Sequence, residues 1–342
     1  MNDISVQALP ETLTKALKDH LPLHVINDFL KKKSLATVKT WEDLSLIHKD
    51  QTSLMTQILE EVICFGRKSI FAFRTPDGWA KSTKMPTSSK KQDIFQSIKS
   101  PSKSHQAFSC FSHDSYDAYT YFIEREAIET CLLGSSDLSD SARSKYWSPE
   151  SVFKVQKPIK YCAFDSILID KEKDLIYVLL DNLRYRTKQD SSDIYGDLLA
   201  AIDNNGDYRK SLSPIDLYSA IGQMYSYSDE GIVCQLSFEC GTGAVRDEKL
   251  KQGELDLRKE LYHVNGKAAV GKLHPYKIEL SYHQQKYSSL HTEANFSIKG
   301  RRANIAKKGG VFKSEILSNS PLADLTFCLN RLALYIQNEQ AN

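Results

Sequence analysis

The chain has 342 residues, of which 41% are hydrophobic and 26% are charged, and its net charge is +2 at pH 7. This composition is that of an ordinary globular protein, so it excludes a disordered tail, a collagen-like fibre and a protein that binds polyanions through bulk charge. At roughly 100–200 residues per domain, the length predicts about two domains.

The sequence predicts a cytoplasmic protein that does not contact a membrane. Residues 1–5 carry neither the basic nor the apolar segment of a secretory signal. The apolar run 175–180 is only six residues long, far short of the roughly 20 that a helical bilayer span needs. The seven cysteines are widely spaced, and we expect them to be mostly buried, reduced thiols.

Residues 1–80 are predicted to form a helical module that ends in a short hairpin. Apolar side chains repeat at helical spacing over most of 10–65, with a break at Pro22. The last of these helices should begin at Asp50 and end at Gly66 in the left-handed conformation. The run 69–74 then predicts a strand, and Trp79 is expected to begin a second strand after a turn.

Residues 81–104 are predicted to be a basic linker or a long exposed loop. This segment holds seven serines, six lysines and a single acidic residue, Asp93. Such a composition does not support a sustained core-facing pattern, although 94–98 could form one short helical turn.

Residues 105–342 are predicted to form an α+β module, so the fold class is α+β: a helical N-terminal region followed by a mostly antiparallel sheet with packed helices. Apolar and polar residues alternate in several segments, as in half-buried strands. Ser213 followed by Pro214 is expected to begin a helix. The remaining predictions are strands over 161–170, 175–181, 231–239, 276–282 and 294–298, and helices over 192–203 and 320–336.

The clearest charged feature is the basic segment 296–313, which contains no acidic residue. Its arginines offer planar forks to phosphate, and its glycines allow a close approach of the backbone. The segment therefore predicts a nucleic-acid backbone clamp. The alternative is a solvated loop whose charge is balanced by acidic neighbours in the fold. The basic residues are Lys299, Arg301, Arg302, Lys307, Lys308 and Lys313.

A second candidate site consists of Asp256, Glu260 and His263. If 252–264 is a helix, these residues are spaced i, i+4 and i+7 and share one face. Two carboxylates and an imidazole could hold a divalent metal or carry out acid/base catalysis. The alternative is a polar stripe that faces solvent. Asp165 and Asp170 are interpreted as acids that flank a surface hairpin.

The sequence therefore favours an intracellular nucleic-acid-binding protein that is a subunit of a larger assembly and needs no cofactor. One alternative is a metal-dependent nuclease or phosphoesterase, in which Asp256, Glu260 and His263 would be catalytic with a divalent metal. The other is a protein-interaction subunit without a ligand of its own. Basic residues gathered on one face would favour the first, converging polar residues the second, and an exposed apolar patch the third.

Overall fold

The computed structural model describes residues 9–82, 92–148, 153–183, 186–187, 189–202, 212–251, 255–306 and 309–337. The helices of this part of the chain are α1 Glu11–His20, α2 Leu23–Lys32, α3 Trp41–Ile47, α4 Thr52–Phe65, α5 Trp79–Ser82, α6 Ile94–Lys99, α7 Asp140–Tyr146, α8 Ser191–Ile202, α9 Tyr218–Ser226, α10 Leu261–Val270 and α11 Leu322–Gln337. The strands are β1 Lys68–Arg74, β2 Gln106–His113, β3 Tyr116–Leu133, β4 Phe153–Asp170, β5 Leu175–Leu180, β6 Arg186–Thr187, β7 Ser213–Pro214, β8 Ile232–Cys240, β9 Val245–Lys249, β10 Leu273–Tyr282, β11 Ala294–Lys299 and β12 Ser314–Ile316.

All of these strands belong to one sheet, and every pair in it is antiparallel. The main strand order is β2-β3-β4-β5-β1-β12-β11-β10-β8-β9, with β6 beside β3 and β7 beside β1. The predicted α+β class, with N-terminal helices and an antiparallel sheet, is confirmed. Strand β1 comes from the predicted module 1–80, yet it pairs with β5 and β12 of the predicted module 105–342.

The two faces of the sheet differ between its halves. Around β1 both faces are apolar: Ile70 and Ala72 join the main core, while Phe71 and Phe73 join a second core that includes α8. Toward β9 only one face is apolar, because Leu236, Ile278 and similar residues face helices and alternate with polar neighbours. This alternation, which predicted the strands at 276–282 and 294–298, reflects a sheet that is covered by helices on one side.

Several local predictions are wrong. Gly66 has φ −75°, and the left-handed residue after α4 is instead Arg67 at φ 53°. Trp79 begins the short helix α5, so residues 79–82 do not form the second strand of the predicted hairpin. Ser213 and Pro214 form the short strand β7 at the edge of β1, and α9 begins only at Tyr218.

Part of the predicted basic linker is packed against the sheet. The stretch 83–91 lies outside the described residues. Asp93 caps α6, because its carboxylate accepts hydrogen bonds from the backbone N–H groups of Phe95 and Gln96. Ile94 is buried in the main core, so α6 is docked and is more than an exposed turn.

A network of buried charges connects α4 with strands β1, β3, β4 and β5. The ammonium group of Lys68, which has no exposed surface, donates to the carbonyls of Ile63 at 2.9 Å and Phe164 at 2.7 Å. It also lies 3.4 Å from the carboxylate of Asp181. Buried charges need such partners, because desolvation costs several kcal/mol per ion.

The network continues through Asp165, which is also fully buried. Its carboxylate accepts hydrogen bonds from Arg125 at 2.5 Å and from the Asp181 backbone N–H at 2.9 Å, and it lies 3.2 Å from His105. Burial acts to raise the pKa of Asp165, but Arg125 and His105 hold it below its usual range. A depressed folded pKa stabilises the protein above the ordinary carboxylate pKa, and this contribution is lost as the pH falls.

The prediction that Asp165 and Asp170 flank a surface hairpin is wrong, because both are fully buried. The carboxylate of Asp170 accepts hydrogen bonds from the backbone N–H groups of Glu172 and Lys173 in the β4–β5 turn. Both acids are therefore structural residues of the hairpin.

We predict that Lys68→Met lowers the free energy of unfolding by about 3–5 kcal/mol, because it leaves the buried Asp181 carboxylate without its cation. Lys157→Met is the matched control, since Lys157 pairs with Glu129 on the surface at 2.9 Å and should contribute little. Urea denaturation of both variants measures the difference. Equal stabilities of the two variants would contradict the role given to the buried network.

Candidate functional site

The candidate site is a groove between α10 and the apolar face of strands β8 and β9, here called the α10 groove. It encloses about 450 Å³. Phe238, Cys240, Val270 and Leu273 give it an apolar lining. Arg246, Glu248 and Lys267 add charged groups, while Leu261, Tyr262 and His263 come from the helix.

Helix α10 has one buried side chain, His263, which is 2% exposed, while Val270 at its end is half-buried against the main core. Its Nδ1 lies 2.5 Å from the carboxylate of Glu248, and its Nε2 lies 2.8 Å from the hydroxyl of Tyr225 on α9. A neutral imidazole satisfies both contacts if Nδ1–H donates to Glu248 and Nε2 accepts from Tyr225. The rings of Tyr225 and Phe238 meet the imidazole edge-on, each at 5.9 Å between centroids.

The outward side of α10 is apolar and exposed. Leu261 is 72% exposed, Tyr262 73% and Val264 44%. Asn265 and Gly266 lie in the middle of the helix, and glycine there costs roughly 1 kcal/mol relative to alanine. Helices normally gain most of their stability by packing an apolar face, and in α10 that face is left open.

The three residues predicted to form a metal or acid/base site have separate structural roles. Residues 252–254 of the predicted helix over 252–264 lie outside the described residues. The remainder is not one helix, because a 3-10 helix, Leu257–Lys259, precedes α10. Asp256 caps that 3-10 helix and pairs with Arg258 at 2.6 Å. Arg258 in turn donates to the carbonyls of Tyr227, Glu230 and Gly231.

Glu260 caps α10, with its carboxylate 2.7 Å from the His263 backbone nitrogen. Hydrogen bonds from the backbone of Tyr262 and His263 lower the pKa of Glu260. Both ring nitrogens of His263 already have partners. Among the residues that the structure describes, no group of three or more His, Cys, Asp or Glu side chains is placed to hold a metal ion.

Three of the six basic residues of the segment 296–313 contact carboxylates. Lys299 and Lys313 both contact Glu315, and burial, which acts to raise the pKa of Glu315, is outweighed by these two lysines, which lower it. Arg302 pairs with Glu239 at 2.5 Å. Arg301 is exposed and has no ion pair within the described ranges, and Lys307 and Lys308 lie outside them.

Sequence reasoning found Glu260 and His263 but missed Tyr225, Phe238, Arg246 and Glu248. The last two belong to a charged run, 246–249, which resembles a loop although it forms β9. The Gly241-Thr242-Gly243 turn directly after strand β8 was the signal that could have identified a hairpin.

Comparison with known protein families and with curated proteins gave no match. None of the helices in the described ranges combines the length and the apolar character needed to cross a bilayer. The interpretation of the α10 groove therefore rests on its geometry.

We predict that His263→Ala destabilises the protein by about 1–3 kcal/mol, because it leaves the Tyr225 hydroxyl and the Glu248 carboxylate without their partner. Amide exchange over 261–270 should accelerate more than in α11. His24→Ala, a change of an exposed histidine on α2, is the control and should alter neither property. Unchanged exchange in α10 would show that His263 is not its anchor.

Proposed function

We propose that this protein is an interaction subunit that binds a segment of another protein at the α10 groove. The observation that carries the proposal is the exposure of Leu261 and Tyr262, at 72% and 73%, on a helix with a single buried side chain. Exposed apolar patches beside polar residues mark binding surfaces. Tyrosine is also enriched among the residues that contribute most to binding energy.

The charges of the groove indicate the chemistry of the partner. Glu248 is held by His263, and Glu260 is used as the helix cap. Arg246 and Lys267 form no salt bridge with any residue in the described ranges, and the Lys267 ammonium lies over the Tyr225 ring at 4.9 Å. Arg246 and Lys267 are therefore the charged groups of the groove that a partner could pair with, so the partner segment should combine apolar side chains with acidic ones.

The two other functions have less support. A nucleic-acid clamp at the basic segment would have to use Arg301 with Lys307 and Lys308, because Lys299, Arg302 and Lys313 are engaged by carboxylates. A metal-dependent nuclease or phosphoesterase would need Asp256, Glu260 and His263 to leave their present partners. Both functions remain predictions. Nucleic-acid binding or a metal-dependent hydrolytic activity that does not depend on Tyr262 would support one or the other.

We predict that a photo-crosslinking amino acid at position 262 captures a specific protein in the cells that make this chain. The same amino acid at position 46, where Leu46 is 53% exposed on α3, is the control. The captured protein is then identified, purified and titrated against the purified full chain.

Tyr262→Ala should weaken the reconstituted complex by about 2 kcal/mol or more, or about thirtyfold, as expected for a central aromatic contact. Leu46→Ala should leave the affinity unchanged. Equal adducts at both positions, or a purified complex that tolerates Tyr262→Ala, would contradict the proposal.

A further inference from the structure

Strand β9 forms one end of the main strand order, and its outer edge lies beside the α10 groove. The strand is exposed along most of its length, and Val245 is 42% exposed. An edge strand displays a row of backbone donors and acceptors that can pair with another chain.

The hydrogen bonds around the β8–β9 hairpin identify which residues form that row. The Cys240 N–H donates to the Ala244 carbonyl at 2.8 Å, and the Leu250 N–H donates to the Cys234 carbonyl at 2.9 Å. Hydrogen-bonded and non-hydrogen-bonded pairs alternate along an antiparallel ladder. The backbone groups of the even residues 246 and 248 therefore face β8.

The backbone groups of Val245, Asp247 and Lys249 consequently point away from the sheet. Within the described ranges, these N–H and C=O groups have no hydrogen-bond partner. The outward-facing backbone groups of these three alternate residues are sufficient for a short added strand to pair with.

The side chains of β9 connect this edge to the groove. Arg246 and Glu248 lie opposite Phe238 and Leu236 and share their apolar face, where both line the groove. Because side chains alternate between the faces of a sheet, a strand added outside β9 would direct every second side chain into the groove, beside α10. The remaining side chains would lie on the opposite face, near Asp247.

We propose that the partner segment binds as an additional β-strand on the outer edge of β9, and that the every-second side chains that enter the α10 groove include both apolar and acidic ones. This inference rests on the proposed function and specifies the conformation of the partner. Main-chain hydrogen bonds would supply affinity, and the groove would supply specificity.

The probe is a synthetic ten-residue peptide with threonine at every second position and with valine and glutamate in turn at the positions between, so that both lie on the same face of the added strand. The control peptide carries lysine in place of glutamate. The full chain should bind the glutamate peptide more tightly, because Arg246 and Lys267 lie in the groove. Amide exchange is then measured residue by residue. The amides of Val245, Asp247 and Lys249 should become protected on binding, whereas those of Arg246 and Glu248 should already be protected in the free chain.

Two variants separate the backbone from the side chain. Lys249→Pro removes an outward-facing N–H at a position where proline is tolerated in an edge strand. It should weaken peptide binding by about fivefold or more, the factor that corresponds to one hydrogen bond of about 1 kcal/mol. Lys249→Ala keeps the N–H group and should bind the peptide more tightly than Lys249→Pro.

The outcomes distinguish this inference from the function on which it rests. Binding of the peptide that depends on Tyr262 but leaves Val245, Asp247 and Lys249 unprotected would overturn strand addition while supporting docking in the groove. Failure of the chain to bind the glutamate peptide would also overturn strand addition, and the crosslinking experiment at position 262 would still decide the proposed function.

Discussion

The ion pair between Lys68 and Asp181 is the constraint on which the sheet depends most. Lys68 begins β1, and its ammonium contacts a carbonyl of α4, a carbonyl of β4 and the carboxylate that follows β5. Because buried ions are costly without their partners, these contacts specify one register among the three strands. A shift of one residue would turn the ammonium to the other face.

This position matters because β1 joins the two halves of the sheet. Its neighbour on one side is β5, and on the other side it is β12, which leads through β11, β10 and β8 to β9. Residues 9–74 and the C-terminal strands therefore share one framework in the described structure. The network around Asp165 then holds β3 and β4 against that framework through Arg125.

The far end of the same sheet is held in a different way. His263 is the one fully buried side chain of helix α10, Val270 adds a half-buried contact, and the strand below the helix has an open outer edge. Local stability commonly falls from a well-packed centre toward such elements, and binding surfaces are often drawn from them. A rigid centre with a lightly attached apolar helix suits a protein that accepts a partner segment at its edge.

The sequence predicted local features better than partnerships between distant residues. The alternation at 276–282 and 294–298 identified β10 and β11, since one face of each meets helices and the other is polar. The position of β1 could not be predicted, because its neighbours come from residues more than 100 positions away. Likewise, their close spacing in the sequence identified Glu260 and His263 together. Tyr225 could not be identified in this way, because it lies 38 residues from His263. The sequence could not show that Glu239 and Glu315, which lie outside the segment 296–313, form ion pairs with its basic residues.

Oxidative footprinting of Leu261 and Tyr262, in the purified chain and in the assembly isolated from the cells that make it, tests the central claim most directly. The account predicts that both residues are oxidised readily in the purified chain and are protected in the assembly. Leu46 and Ile47, which are 53% and 57% exposed on α3, should react equally in both samples. Equal oxidation of Tyr262 in the two samples, with protection confined to 296–313, would contradict the account and would favour binding through the basic segment.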